Sequence, residues 1–228
     1  MTLPGPNDWA DWFRGKEFSQ DWTSPHFPVW SEVLAPLREQ ACDVLEIGSW
    51  EGRSAVFFLE FLPLGRITCI DTFGGSPEHF ANAEWRTSVP KIERRFDANL
   101  AGYHGRFEKI RARSATGLDS LLVSHRAFDV IYIDGSHRRD DVLTDTLASW
   151  QMLKSGGIMI WDDYGGGKNL PDVERAKPAV DMFLEMYAGD FTLLRRHYQV
   201  IVRKTPGERN PTWLRRQIHR LGRRLGRF

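Results

Sequence analysis

Five short apolar runs, at 43–49 (DVLEIGS), 67–73 (ITCIDTF), 107–112 (FEKIRA), 128–134 (FDVIYID) and 157–162 (GIMIWD), alternate with longer stretches of helical period. A parallel pair of strands needs a crossover of a dozen or more residues, usually a helix, so this alternation restricts the chain to an α/β architecture with a largely parallel sheet. Helices are expected at about 53–62, 86–101, 115–124, 138–153 and 174–188, the fourth with Leu143, Leu147 and Trp150 on one stripe. Two last runs, 191–196 and 199–204, lie too close together for a crossover and must form an antiparallel hairpin. The expected fold class is therefore α/β: five parallel strands plus a C-terminal antiparallel hairpin, flanked by helices.

A chain of 228 residues suits one domain with extensions. Residues 1–40 read as an N-terminal arm or lid carrying Trp9, Trp12, Trp22 and Trp30, with prolines that break any continuous helix before Ser31. Residues 41–205 hold the sheet, and 206–228 form a basic tail. Two cysteines, Cys42 and Cys69, suit buried thiols in a reducing compartment better than a disulfide framework. Neither an export leader nor a run of about 20 apolar residues is visible, so a cytoplasmic location is expected. Seven of the 31 basic side chains, and no acid, lie from Arg209 onward, which leaves 24 against 30 acidic ones before it: an acidic body and a basic tail.

In an open parallel sheet, ligands bind beyond the carboxyl ends of the strands, near the point where strand order reverses. The first run delivers Glu46, Gly48, Ser49 and Gly52 there, the second Asp71 and Thr72, and the third leads into Ser114 and Ala115. The fourth ends in Asp134 and His137, and the fifth in Asp162 and Asp163. Gly48 permits a tight turn, Gly52 sits where the next helix must pack closely, and Asp71 follows at a distance that suits ribose hydroxyls. The spacing is G-x-x-x-G with an acid two residues before the first glycine, not the G-x-G-x-x-G of dinucleotide folds, which disfavours a dehydrogenase. An acid at that point suits a cationic ligand such as the amino group or sulfonium of S-adenosylmethionine.

Together "LEIGSWEGRS", "ITCIDTFGG", "IYIDGSH" and "LKSGGIMIWDDY" resemble the class I S-adenosylmethionine-dependent methyltransferases, in the branch of metal-dependent O-methyltransferases acting on macrolide sugars. The resemblance covers residues 22–204 and implies a Rossmann-like sheet. It further implies that Glu46 and Gly48 line the methionine end of the cofactor, that Asp71 holds the ribose, and that Ser114 and Ala115 border the adenine. The bland alternatives are that Glu46 caps the next helix, Asp71 is an edge turn residue, and Thr72 and Phe73 only pack.

Three carboxylates at adjacent strand ends, Asp134, Asp162 and Asp163, repel one another unless a cation relieves them, and hard oxygen ligands suit Mg²⁺. The resemblance implies that these acids hold Mg²⁺ against hydroxyls of the acceptor while His137 acts as base. A neutral imidazole with a free pKa of about 6.5 suits that role, and its alternative is a helix-terminal residue bonded to Asp140 or Asp141. The loop 74–90, with His79, Phe80 and Trp85, and the glycines after Tyr164 with Lys168 are candidate flaps.

The expected reaction is methyl transfer to a hydroxyl of a small molecule, a sugar or glycosylated metabolite. In the tail, Leu214, Ile218, Leu221 and Leu225 recur at helical spacing among arginines. Its favoured partner is the acidic body or a second copy in a homo-oligomer; peripheral membrane contact through 213–228 comes next, and nucleic acid is disfavoured. Two other functions stay open: an RNA methyltransferase, or a non-catalytic S-adenosylmethionine-binding module acting through the tail.

Overall fold

The computed structural model describes residues 3–206. Its elements run in the order α1 (Pro6–Trp12), α2 (Phe27–Leu34), β1 (Asp43–Ile47), α3 (Arg53–Phe61), β2 (Arg66–Asp71), α4 (Pro77–Ala81), α5 (Ala83–Arg86) and α6 (Ile92–Leu100). They continue with β3 (Phe107–Arg111), α7 (Ser114–Val123), β4 (Phe128–Ile133), α8 (Arg139–Met152), β5 (Leu153–Trp161), α9 (Lys177–Met186), β6 (Phe191–Arg196) and β7 (Val200–Lys204). The seven strands form one sheet in the order β3-β2-β1-β4-β5-β7-β6. β1 to β5 pair in parallel, and β7 is antiparallel to both β5 and β6. This is the expected Rossmann-like topology.

Two departures have local causes. The helix expected over 86–101 is divided, because Pro90 sits in a 3₁₀ turn at Val89–Lys91 that separates α5 from α6. β5 begins at Leu153 rather than at 157, and its pairing with β4 shifts register between Phe128 and Val130. Gly156, at φ +79°, accommodates the irregular start.

Both faces of the sheet are covered. On one, α2 and α3 bury Phe27, Trp30, Leu34 and the run Ala55–Phe58 against Val44, Cys69 and Tyr132. Stacked rings, Phe27 on Phe57 at 4.4 Å and Trp30 on Phe58 at 5.2 Å, fix the arm to α3. On the other face α7, α8 and α9 contribute Leu118, Trp150 and Phe183 over Ile131 and Trp161. Each large side chain fully buried in this way stabilises by roughly 1.5–3 kcal/mol. Both cysteines are free and buried.

The arm is both packing element and roof. Its polar stretch is clamped by Asn99, whose amide donates to Glu17 O and Glu51 O, each at 2.9 Å, while Lys16 Nζ donates to Asn99 O. Arg53 holds Asp21 at 2.8 Å with two parallel bonds. These anchors carry residues 18–26 across the carboxyl ends of the strands.

The strand order reverses between β1 and β4, and Gly48 stands at that point. Its φ is +85°, and a Cβ there would lie 2.0 Å from the carbonyl oxygen of Asp134. Only glycine lets the two strand ends approach so closely. Among the described residues no helix is long and apolar enough to cross a membrane. The basic tail from residue 207 lies outside the described residues.

Candidate functional site

At the reversal point the strand ends open into a cavity of about 1590 Å³. Gly48, Ser49, Asp71 and Thr72 line it beside β1 and β2, and Ser114 and Ala115 line it at the start of α7. Asp134, His137, Asp162 and Asp163 line it beyond β4 and β5. Glu46 and Gly52 stand behind that wall. Gly52 caps α3 at φ +81°, and a Cβ would strike Leu100 Cδ1 at 2.5 Å, so its role is the close packing of α3 on α6.

Asp71 braces the glycine loop. Its Oδ2 accepts the backbone N–H groups of Ser49 and Trp50, both at 2.8 Å, and Oδ1 accepts that of Phe73 at 2.6 Å. Burial raises its pKa, and the three N–H donors oppose the rise. The loop it holds is strained, with Trp50 at φ +47°. The aromatic side chain so displayed packs on His79 at 4.4 Å and on Trp22 of the arm at 5.6 Å, which brings the arm and the 74–90 loop together over the cavity.

Glu46 is fully buried, and its Oε1 makes no hydrogen bond within the described residues. The Ser49 side chain beside it is likewise buried, and Glu46 Oε2 accepts from the Cys69 thiol at 3.4 Å. Burial pushes the Glu46 pKa up to about 7, while the neighbouring hydroxyls of Ser49 and Ser54 pull it down. An acid whose folded pKa exceeds its unfolded value of 4.5 weakens folding as pH rises from about 4.5 to about 7 and holds that penalty above it. Glu46→Gln is therefore expected to melt several degrees above the parent at pH 8, with the two converging near pH 4.5. It is also expected to bind S-adenosylmethionine more weakly. A pH series of thermal melts, with calorimetric titration at pH 8, measures both; a lower melting temperature at pH 8 would contradict the assignment of strain to this carboxylate.

The acid cluster has a distinct internal order. Asp162 Oδ1 accepts the N–H of Asp163 at 2.7 Å, and its Oδ2 accepts from the Tyr132 hydroxyl and from Gln199 Nε2 at 2.9 Å. Gln199 is itself held by Trp30 Nε1 of α2 at 2.8 Å. Asp162 is thus committed to protein donors, whereas the sequence grouped it with the metal ligands. The set whose ligand atoms converge, all within 4.8 Å of one another, is Asp134, His137 and Asp163.

Tyr132 also touches Asp134 Oδ2 at 2.8 Å. One hydroxyl carries one proton, so it satisfies only one of its two carboxylates while both are ionised. Burial, followed by the charges of Asp162 and Asp163, drives the Asp134 pKa far upward. Asp163, at φ +53°, goes the other way. Burial raises it, but His137 Nε2 at 2.7 Å and the Tyr198 hydroxyl at 2.5 Å more than offset that. His26 of the arm stacks on Tyr198, with ring centroids 5.6 Å apart.

Several of these groups escape sequence reading. Gln199, Trp30, His26 and Tyr198 meet the acids only through tertiary contacts and carry no local signal. Tyr132 had one: two residues before Asp134 on a strand, it must share that residue's face. Ser54, in the first turn of α3, also lines the cavity, and Asp145 of α8 is a buried partner of Ser114 with its pKa raised by burial to about 6.

The residues present fit both groups expected from the sequence. The turn at Gly48 and Ser49 and the carboxylate of Asp71 line the cavity where a polar, cationic ligand end is expected, with the buried carboxylate of Glu46 behind them, and the oxygen-rich cluster around Asp134 suits a hard divalent cation.

A sequence model described as a methyltransferase domain matches residues 45–164, which is more than half of the chain. No curated protein sequence matches. The fold is similar to that of MycE, a methyltransferase from the mycinamycin biosynthetic pathway solved with Mg, SAH and mycinamycin VI, at 21% identity and a TM-score of 0.59. That similarity covers 90% of this chain and 56% of MycE. It is also similar to an O-methyltransferase from Bacillus cereus in complex with SAH, at 14% identity and a TM-score of 0.62, covering 89% and 92% of the two chains.

Proposed function

Because the chain belongs to the methyltransferase-domain family, whose members take S-adenosylmethionine as methyl donor, we propose that it is an O-methyltransferase acting on a hydroxyl of a small molecule. The observation that carries this reading is that Asp134 borders both halves of one cavity, the glycine-loop wall and the acid and histidine cluster. A methyl donor held on the first half would present its reacting group to an acceptor held on the second, the close alignment that displacement requires.

Bound S-adenosylmethionine supplies an electrophilic methyl group, and a divalent cation held by Asp134 and Asp163 lowers the pKa of a hydroxyl beside it. The remaining work falls to the chain. Gly48, Ser49 and Asp71 line the donor half, with the buried Glu46 carboxylate behind them to favour a cationic ligand end. Trp22, Trp50 and His79 close the roof and exclude water. His137 is fixed through Nε2 by Asp163; with the proton on that nitrogen, Nδ1 is the basic atom of the neutral ring. The cavity exceeds the roughly 300–1,000 Å³ usual for a single small ligand, as a site that takes a donor and an acceptor together requires.

Calorimetric titration with S-adenosylmethionine, S-adenosylhomocysteine and Mg²⁺ tests the donor and cation halves. Incubation of a metabolite extract with isotopically labelled donor, with and without chelator, tests the acceptor half. Binding of both adenosyl compounds and chelator-sensitive label on a hydroxyl are expected. Failure of either adenosyl compound to bind would sink the reading, and chelator-insensitive transfer would remove the cation from it.

A further inference from the structure

Beyond the residues assigned to the donor and the cation, the cavity has further lining side chains. Leu170 and Val173, from the loop after β5, border it with 48% and 44% of their surfaces exposed, and Tyr198 from the β6–β7 turn adds a third apolar face at 39%. Apolar side chains exposed together beside a reacting centre mark a surface meant to be covered.

The charged groups on this border divide into two kinds. Arg53 and Arg175 also line the cavity, but each is neutralised, by Asp21 and Asp172 respectively. Arg138 and Arg195 line it too and are exposed; no guanidinium hydrogen bond or close ion pair holds either among the described residues, although the charge of Arg138 acts on nearby Asp140. Asp140 and Asp141, the lining acids next in sequence, are bonded by Arg139 and Ser136, and no ion pair joins Glu174, on the same border, to Arg138 or Arg195 among the described residues. Arg113, at the start of α7, is likewise exposed on the cavity, but it stands beside Ser114 and Ala115 on the donor side, away from the acid cluster.

Arg138 and Arg195 are set apart by their position. Arg138 directly follows His137, and Arg195 precedes by three residues the Tyr198 whose hydroxyl bonds Asp163. They approach the cavity from different elements, the β4–α8 turn and strand β6. A guanidinium is permanently charged and presents a planar fork matched to a carboxylate or phosphate.

We propose that the acceptor is an organic anion, an apolar body bearing a carboxylate or phosphate, whose charged group is received by Arg138 and Arg195 while its hydroxyl faces His137 and the acids. This deepens the O-methyltransferase reading and rests on it. The arginines are specificity-determining residues and take no part in the transfer.

The test compares matched pairs on the protein loaded with S-adenosylhomocysteine and Mg²⁺: 3,4-dihydroxybenzoate against its methyl ester, and glucose 6-phosphate against glucose, by calorimetry. At least about tenfold tighter binding of the anion in one pair is expected, and the pair that shows it identifies carboxylate or phosphate. Arg138→Ala/Arg195→Ala should reduce that preference to parity, and Arg138→Lys/Arg195→Lys should restore most of it. Raising the salt concentration should weaken the anion and leave its neutral partner unchanged. Equal affinity within both pairs, including failure of all four probes to bind, overturns the proposal, as does a preference that survives the double alanine variant. S-adenosylhomocysteine binding in the first step separates the two failures: its loss overturns the methyltransferase reading, whereas its retention without an anion preference overturns only this one.

Discussion

Asp134→Asn is expected to lower methyl transfer by at least about 10³-fold, some 4 kcal/mol of transition-state stabilisation, and to abolish measurable Mg²⁺ binding, without making the protein less stable. The expectation comes from the crowding of the carboxylate. Asp134 shares the Tyr132 hydroxyl with Asp162, and the charges of Asp162 and Asp163 add to burial in driving its pKa far up. With the folded pKa above the unfolded one, its ionisation opposes folding once pH rises past the unfolded value. An asparagine keeps the shape, carries no charge, and offers Tyr132 a carbonyl oxygen to donate to. The metal-free variant should therefore melt at or above the parent's temperature at neutral pH while activity disappears. Thermal melts without metal, Mg²⁺ calorimetry and isotopic methyl transfer into a metabolite extract measure the three effects. A variant that loses stability and activity together would make Asp134 a structural residue, and the case for a charge-strained site would fall with it.

The same crowding explains what could be read beforehand and what could not. The strand ends were legible because the chain marks them twice, once by apolar runs of fixed length and once by an acid or glycine immediately after. Glu46, Asp71, Asp134, Asp162 and Asp163 were found in this way, and all but Glu46 line one cavity. Their roles were less legible, because a role depends on which donors a carboxylate meets. Asp162 and Asp163 are adjacent in the chain and identical in type, yet one is tied down by Tyr132 and Gln199 and the other faces His137. The residues that make the difference lie far away, with Trp30 and Gln199 separated by 169 positions. Arm and hairpin therefore decide which carboxylate is free, and neither carries a motif. Likewise Asp71, assigned to the ribose by its spacing, uses both oxygens to hold the loop at Ser49, Trp50 and Phe73. Spacing located the residue but not the partners that occupy it.

His137→Ala is expected to lower kcat by about 10² to 10⁴-fold while leaving the affinities for S-adenosylmethionine and Mg²⁺ within about threefold of the parent. Two roles compete at this position. As base, the ring accepts the acceptor's proton and contributes only once the acceptor is bound. As ligand, it supplies one of the three atoms that converge with Asp134 and Asp163, and its removal would weaken the cation directly. The separation of kcat from metal affinity tells these apart. The pH profile gives an independent reading, since a base works only when neutral: activity in the parent should rise with pH through the pKa of that base, and the rise should be absent in the variant. The bond to Asp163 supports the base role, because it orients the ring and, with the proton on Nε2, makes Nδ1 the basic atom. It also makes the two residues interdependent. Asp163→Asn should remove cation binding and at the same time release the ring, so its effect on kcat should be no smaller than that of His137→Ala, and the double variant should be little worse than Asp163→Asn alone.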